Sequence, residues 1–338
     1  MHWSTKIDRP MPWKNEKNPY YIWLSEIILQ QTRVEQGLPY YVKFVNAYPT
    51  VRDLAHANED DVLKLWEGLG YYSRARNLLK AARYIVETLQ AKFPATYAEM
   101  RNLIGTGEYT AAAVASFAYN LPYAVVDGNV YRVLSRVFAI EIPTDSTAGK
   151  KYIAKLAADA LDQEKPGIYN QAIMDFGAIQ CVPKNPDCLN CDLQSICMAF
   201  QQSKVEALPV KLKKIIKRTR YLQYLVFLAD GETMIVKGQK DVWKGLHQFP
   251  FVETNEASEL SEMLQHVRGR YNQLDFKLTF AGNFRQLLTH QEILATFWQL
   301  EVDKLPAITE GKIVSLKNIN DYAYPKIIKM FLSSRIEI

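Results

Sequence analysis

Apolar positions recur at helical spacing through the first 200 residues and alternate like strands only after residue 220. Asn18-Pro19 supplies an N-cap and a proline at the first helical position. The run Tyr20 to Gln31 behind it is apolar almost all round, which predicts a buried helix, and Glu26 is its one acidic residue. Thr32-Arg-Val-Glu35 predicts a capping box and a second helix starting there, with Gln30 and Gln31 at the junction. Thr50 to Asp53, Asn58 to Asp61 and Thr96 to Glu99 mark further N-termini. Gly68-Leu-Gly70 stops a helix, Tyr71 and Tyr72 fall in a tight connection, and Ser73 begins the next. Leu103-Ile-Gly105-Thr-Gly107-Glu-Tyr109 predicts a two-glycine turn opening a helix of small residues, and Asp127-Gly128-Asn129 a turn before another. No stretch before residue 200 alternates convincingly, so a first domain over 1–200 is expected to be all α.

Residues 201–220 break that pattern. Lys204, Lys211, Lys213, Lys214, Lys217, Arg218 and Arg220 face a single acid, Glu206, which predicts a basic linker, either a solvated spacer or a strap along phosphates. Strands are then expected over 221–229 and 233–237 across an Asp-Gly turn, a helix near 257–268, and a hairpin with arms near 276–286 and 293–302. The second domain, 221–338, is therefore α+β.

Composition narrows the setting. A net charge of +5 fits a polyanionic partner without requiring one. The first residues, Met1 to Trp13, carry charges and prolines, and no apolar run approaches a membrane span, so a soluble cytoplasmic protein is expected, with no membrane partner. Only His56 lies well inside the first 240 residues, so proton transfer there falls to carboxylates.

All four cysteines, Cys181, Cys188, Cys191 and Cys197, share one loop with spacing Cys-x6-Cys-x2-Cys-x5-Cys. Thiolates that crowded converge on a metal or a cluster. Disulfides do not suit a chain without secretory marks. Zinc and iron–sulfur both stay open on the thiolates alone, although zinc sites more often use two Cys-x2-Cys pairs. Gly105-Thr-Gly107 before a helix could bind a phosphate, but by itself a glycine pair is more often a plain helix–helix turn.

Several motifs in combination carry a family resemblance. Pro12-Trp13; Pro19-Tyr20-x-x-Trp-Leu-Ser-Glu26-x-x-Leu-Gln-Gln-Thr32; Trp66-Glu-Gly-Leu-Gly-Tyr-Tyr-Ser-Arg-Ala-Arg-Asn77; Leu103-Ile-Gly-Thr-Gly-Glu-Tyr-Thr-Ala111; Val125-Val-Asp127; and the four cysteines stand in the order of the helix-hairpin-helix DNA glycosylases. Among these the chain resembles the adenine DNA glycosylases of the MutY type, from about residue 8 to 200 and more weakly beyond.

The resemblance implies a multi-domain protein: an all-α helix-hairpin-helix domain with a [4Fe-4S] loop held by the four cysteines, then an α+β Nudix-like domain. It implies a monofunctional hydrolase of base excision repair that flips adenine out of double-stranded DNA opposite 8-oxoguanine or guanine. It would act as a monomer, on nucleoid DNA. Glu26 maps onto the general acid; its apolar helix should favour the protonated form. Asp127 maps onto the carboxylate that stabilises the sugar cation or its adduct, and its polar turn should keep it ionised. Tyr109 stands where lyase-competent relatives carry a lysine, and is expected to bond Asp127 or the sugar. Asn129 could orient the water. Gln171 falls where the family often has an acid contacting adenine. Gln31 and Tyr71 match the residues that fill the gap left by the flipped base. Gly105 and Gly107 form the phosphate-binding hairpin. Trp243 to Pro250 resembles the Nudix fold, but Glu253 to Val267 lacks the Arg-Glu core that holds metal, so this domain should bind and not hydrolyse. Leu288-Thr289-His290 lies in the late hairpin turn that reads the 8-oxoguanine, with Leu288 where the family usually has phenylalanine.

Two other readings compete. An endonuclease III-like lyase on oxidised pyrimidines would want a lysine at Tyr109 and no second domain. A non-catalytic iron–sulfur DNA sensor would not need both Glu26 and Asp127.

Overall fold

A computed structural model describes residues 3, 9–212, 217–308 and 311–335. Lys213 and Lys214 of the basic stretch lie outside the described residues. The chain divides into two compact units, Met1–His56 with Asn77–Lys214, and Ala57–Arg76 with Ile215–Ile338.

The described residues of the first unit are helical throughout. Helix α1 (Pro19–Leu29) is capped by Asn18, whose side chain accepts from the Tyr20 N–H, and buries Tyr20, Ile22 to Leu24 and Ser25 to Ile28. Helix α2 (Val34–Ala47) starts later than expected. Its N-cap is Arg33, with no side-chain cap, because Gln31 takes a left-handed conformation (φ 54°) and the Thr32 hydroxyl donates back to the Gln30 carbonyl. The Thr32–Glu35 capping box is therefore not formed. Short α3 (Val51–His56) follows, with the expected reciprocal bonds between Thr50 and Asp53. Helix α4 (Glu59–Leu65), capped by Asn58, belongs to the second unit, and α5 (Ser73–Glu87) runs back into the first.

Helix α6 (Tyr97–Arg101), with its Thr96–Glu99 capping box, and α7 (Glu108–Tyr119) make the hairpin. The glycines between them divide the work. Gly105 takes φ +82° and a Cβ there would meet the Asn77 side chain at 2.9 Å, whereas Gly107 is the extended N-cap of α7. Buried alanines 111–113 and 115 on α7 let α1 pack closely against it. Helix α8 (Gly128–Val137) starts at its N-cap Asp127; α9 (Thr147–Asp159) packs on it through Ile153 and Ala157; α10 (Pro166–Ile179) lies against both α7 and α8. The cysteine loop follows and ends at α11 (Met198–Gln201).

The second unit is a seven-stranded mixed sheet among the described residues, formed by β1 (Arg218–Ala229), β2 (Glu232–Lys237), β3 (His247–Gln248), β4 (Phe251–Thr254), β5 (Phe276–Leu287), β6 (Gln291–Val302) and β7 (Gly311–Ser315). The sequence pattern shows β1, β2, β5 and β6 but misses β3, β4 and β7, whose few residues alternate too briefly. Strand β1 is central, pairing antiparallel with β2 and β4 and parallel with β6. It is buried on both faces from Leu222 to Phe227, the burial expected of a parallel-paired strand covered by helices. Helix α12 (Leu260–Arg270) buries Met263 and Val267 on one face with Trp298. Helix α13 (Lys326–Arg335) packs on β5, and its Phe331 stacks on Phe297 at 4.1 Å between ring centroids.

The basic stretch is less open than its sequence suggests. Lys204 pairs with Glu141, while Arg218 and Arg220 lie inside β1, where Arg220 is held by Glu253 (2.7 Å) and Asp241. No helix among the described residues is long and apolar enough to cross a membrane.

Candidate active site

A cavity of about 920 Å³ opens in the first unit. Its lining brings together Glu26, Gln31, Tyr109, Asp127, Asn129 and Gln171, six residues from four separated stretches of sequence. Glu26 projects from buried α1, 6% exposed, and burial raises its pKa to about 7; the Tyr109 hydroxyl, donating to it, pulls the other way, and the charge of Asp127 adds to the rise. Tyr109 bonds Glu26, a contact beyond the expected one to Asp127 or the sugar, and its own ionisation is pushed up by burial and then by the two carboxylates.

Asp127 caps α8, its Oδ1 accepting the Val130 N–H at 2.7 Å and its Oδ2 the Asn129 amide at 2.8 Å. Its turn is drier than the sequence suggests. Burial raises its pKa, opposed by the donors of Val130 and Asn129 and by nearby Arg132. The N-terminal end of a helix dipole further suits a negative charge there. Both ends of the Asn129 amide are engaged, because its oxygen accepts from Arg132 Nη2 at 2.8 Å. These bonds hold Asn129 between Asp127 and Arg132.

The sequence reading misses three residues. Arg132, one turn into α8, also donates to the Gly177 carbonyl (2.6 Å) and the Cys181 carbonyl (2.7 Å), tying Asp127 through Asn129 to the start of the cysteine loop. Gly177 on α10 leaves room for that contact, since a Cβ there would lie 2.6 Å from the Asn129 Cβ. Asp175, 3% exposed, takes bonds from Arg9, Lys14 and Gln171. Arg132 sits at helical spacing from Asn129 and Asp175 at helical spacing from Gln171, a signal that existed but meant nothing until the carboxylate and the amide were given roles.

Gly105 and Gly107 lie in the hairpin turn, where Gln30 Nε2 donates to the Gly105 carbonyl (3.4 Å) and Thr110 (3.2 Å). The second unit holds Tyr71, Thr289 and His290. Tyr71, 45% exposed in a left-handed conformation, shares a short hydrogen bond between its hydroxyl and that of Thr289. Thr289 and His290 form the β5–β6 turn, closed by Leu288 N–H to the Gln291 carbonyl at 2.8 Å.

Cys181, Cys188, Cys191 and Cys197 are all half-buried and none is in a disulfide. Burial pushes Cys188 and Cys191 up, and both feel the thiols of Cys181 and Cys197. Buried Arg136 braces the loop from α8, donating to the carbonyls of Val182 (2.8 Å) and Pro183 (3.0 Å), with Nη1 3.4 Å from Cys181 Sγ. Among the described residues the thiols do not form a group set to grip a single metal ion.

Two helices joined by a glycine turn, beside a cavity with paired carboxylates, place the chain in a class of base-excision enzymes: residues 24–159 match the HhH-GPD superfamily base excision DNA repair protein model. A solved thermostable thymine-DNA glycosylase aligns with a TM-score of 0.54 and 29% identity, over 57% of this chain and 89% of that one. An adenine DNA glycosylase of Buchnera aphidicola subsp. Baizongia pistaciae is 33% identical over 330 residues, 95% of this chain and 90% of that protein. One from Mus musculus is 40% identical over 221 residues, 62% of this chain but 43% of the longer mouse protein. The chain belongs to the adenine DNA glycosylase family and is by that membership a glycosylase.

Proposed function

We propose that this protein removes adenine mispaired with 8-oxoguanine or guanine in double-stranded DNA, by hydrolysis of the N-glycosidic bond and without strand cleavage. The observation that carries the proposal is the pairing in one cavity of Glu26, a carboxyl whose pKa is raised to about 7, with Asp127, a carboxyl that burial also pushes up but that accepts from Val130 and Asn129 and lies near Arg132. Adenine leaves poorly until it is protonated, and the sugar it leaves develops positive charge. Glu26 supplies the proton and Asp127 the opposing charge or a transient bond to the sugar carbon. A base inside the stack cannot reach this cavity, so the nucleotide must be flipped into it. Gln31 and Tyr71 fill the gap left behind, and the Gly105–Gly107 hairpin takes the backbone phosphate. With tyrosine at 109, no amine stands at the position from which a lyase would form an imine.

The cysteine loop suits a [4Fe-4S] cluster. Four half-buried thiols on one loop offer a cluster its ligands, and Arg136, 3.4 Å from Cys181 Sγ, offsets the charge. Cys181, Cys188, Cys191 and Cys197 would hold it, and a bound cluster would fix the fold of the loop. The second unit is a Nudix-like domain that binds the opposite strand; α12 carries Glu262 but not the Arg-Glu core of a pyrophosphatase. The protein would work as a monomer in the cytoplasm, on the nucleoid.

The test is single-turnover excision from duplexes with adenine opposite 8-oxoguanine, guanine and thymine. Adenine should leave the first two and stay in the third, and borohydride should trap little protein on DNA. Strong trapping, or excision of oxidised pyrimidines instead, would move the protein to the lyase branch. Iron and acid-labile sulfide should accompany the purified protein; zinc in their place overturns the cluster assignment.

A further inference from the structure

We infer that Asp175 is a positioning residue that selects the base by fixing which end of the Gln171 amide faces the cavity, an inference that rests on the adenine reading above. Asp175 is 3% exposed, and three donors converge on it: Arg9 Nη1 at 2.9 Å on Oδ1, and Gln171 Nε2 at 3.0 Å and Lys14 Nζ at 3.3 Å on Oδ2. A carboxylate offers acceptors only, so the amide must turn its NH2 toward Asp175. The two cations matter to this. They pair with the same carboxylate and hold it in place beside the amide.

Helix geometry makes the pair local, since Gln171 and Asp175 are one turn apart on α10. Gln171, Asp175, Arg9 and Lys14 all line the cavity that holds Glu26 and Asp127. With its nitrogen committed, the amide has its oxygen left for the base. An amide oxygen accepts a hydrogen bond from the exocyclic amine of adenine. It repels the carbonyl that a 6-oxopurine carries at the same position, and it gains nothing from purine, which has only hydrogen there. An amide free to turn would welcome either an amine or a carbonyl. Asp175 thus gives a neutral, symmetric-looking side chain a single polarity.

The experiment is single-turnover excision from duplexes bearing adenine, hypoxanthine or unsubstituted purine opposite guanine, with wild type, Asp175→Asn and Gln171→Leu. An asparagine at 175 can present oxygen or NH2, so the Gln171 amide is released. The adenine-to-purine rate ratio should fall about three- to tenfold, the worth of one ordinary hydrogen bond, and the adenine-to-hypoxanthine ratio further. Comparing ratios between variants cancels the intrinsic difference in leaving ability. Asp175→Asn with adenine and purine slowed equally would mark Asp175 as merely structural and overturn the inference. Gln171→Leu keeps Asp175 and both cations, so it tests the same oxygen even if Asp175→Asn unfolds; an unchanged ratio there also overturns it. Wild type that removes adenine from no mispair overturns the functional reading, and this inference with it.

Discussion

The cavity of the helical unit and the β5–β6 turn of the sheet unit handle polar groups on opposite terms. In the cavity, Glu26 is nearly inaccessible, and burial changes what the group is at neutral pH, a carboxyl that can hold a proton. In the turn, His290 is exposed and Thr289 half-buried, and the turn is closed by backbone bonds that leave side chains available. A carboxyl that is to act as an acid near neutral pH is served by a raised pKa, which desolvation and then the neighbouring Asp127 charge supply here. Recognition of a base edge needs donors and acceptors that water has not been stripped from in advance. The two regions should therefore fail differently when altered.

The sharpest break is in the cavity. Glu26→Gln keeps the shape of the side chain and removes the proton, and excision should drop by about 10²- to 10⁴-fold, the usual worth of a positioned acid. Asp127→Asn should be crippled on a similar scale through loss of charge against the sugar cation. Binding to the mispaired duplex should survive in both, since neither reaction role is needed to hold DNA. Excision and gel-shift assays on the same preparations separate these outcomes, and near-normal single-turnover rates for Glu26→Gln would remove it from the acid role.

A smaller effect is expected at the turn. Thr289→Ala combined with His290→Ala removes a hydroxyl and an imidazole able to test the C8 carbonyl and N7 proton of 8-oxoguanine. Two lost edge contacts correspond to about 1–3 kcal/mol, roughly a ten- to hundredfold loss of preference over guanine. Excision opposite guanine should fall far less. Equal preference in variant and wild type would deny the turn its reading role. The Tyr71–Thr289 bond complicates the single variants, because Thr289→Ala also frees the Tyr71 hydroxyl.

The helices and their caps were legible because local signals decide them: Asn18, Asn58 and Thr96 all cap as their sequence context demands, and the Asp127 turn opens α8 with Asp127 itself as the N-cap. The Thr32 motif did not set the start of α2, whose N-cap is Arg33, behind a left-handed Gln31. Glu26 and Asp127 were marked out by the family resemblance, their apolar and turn contexts only agreeing with it. Their shared partner network was not. Arg132 and Asp175 work through contacts 45 and 166 residues away in sequence, to Gly177 and Arg9. Gly177 looks like a helix defect until α8 is laid against it. Short β3, β4 and β7 carry too few residues for any period to show; their partners along the sheet define them.

The finest test concerns the bond between the carboxyl and the tyrosine. With Glu26 at about 7, its acid form is present at pH 6 and depleted at pH 8, so excision should fall as pH rises through about 7. Stability follows the same sign. The pKa in the folded protein lies above the ordinary carboxylate value, so burying the neutral carboxyl contributes stability that is complete at acid pH and is lost as pH climbs through about 7. The Tyr109 hydroxyl acts against this, because donation to the carboxylate favours the charged form. Tyr109→Phe deletes that donor and leaves the ring. The alkaline limb of the excision profile should then move to higher pH, and at pH 8 the variant should keep about fivefold more of its own pH 6 rate than wild type keeps of its own, for a bond worth about one pH unit. Thermal melts supply a readout independent of chemistry: the fall in stability sets in above the ordinary carboxylate pKa in both proteins, should continue to higher pH in Tyr109→Phe before levelling off, and should lose the Glu26 contribution in Glu26→Gln. A limb that moves to lower pH in Tyr109→Phe would mean that the hydroxyl stabilises the protonated carboxyl, and the tyrosine would then be acting as acceptor and not as donor.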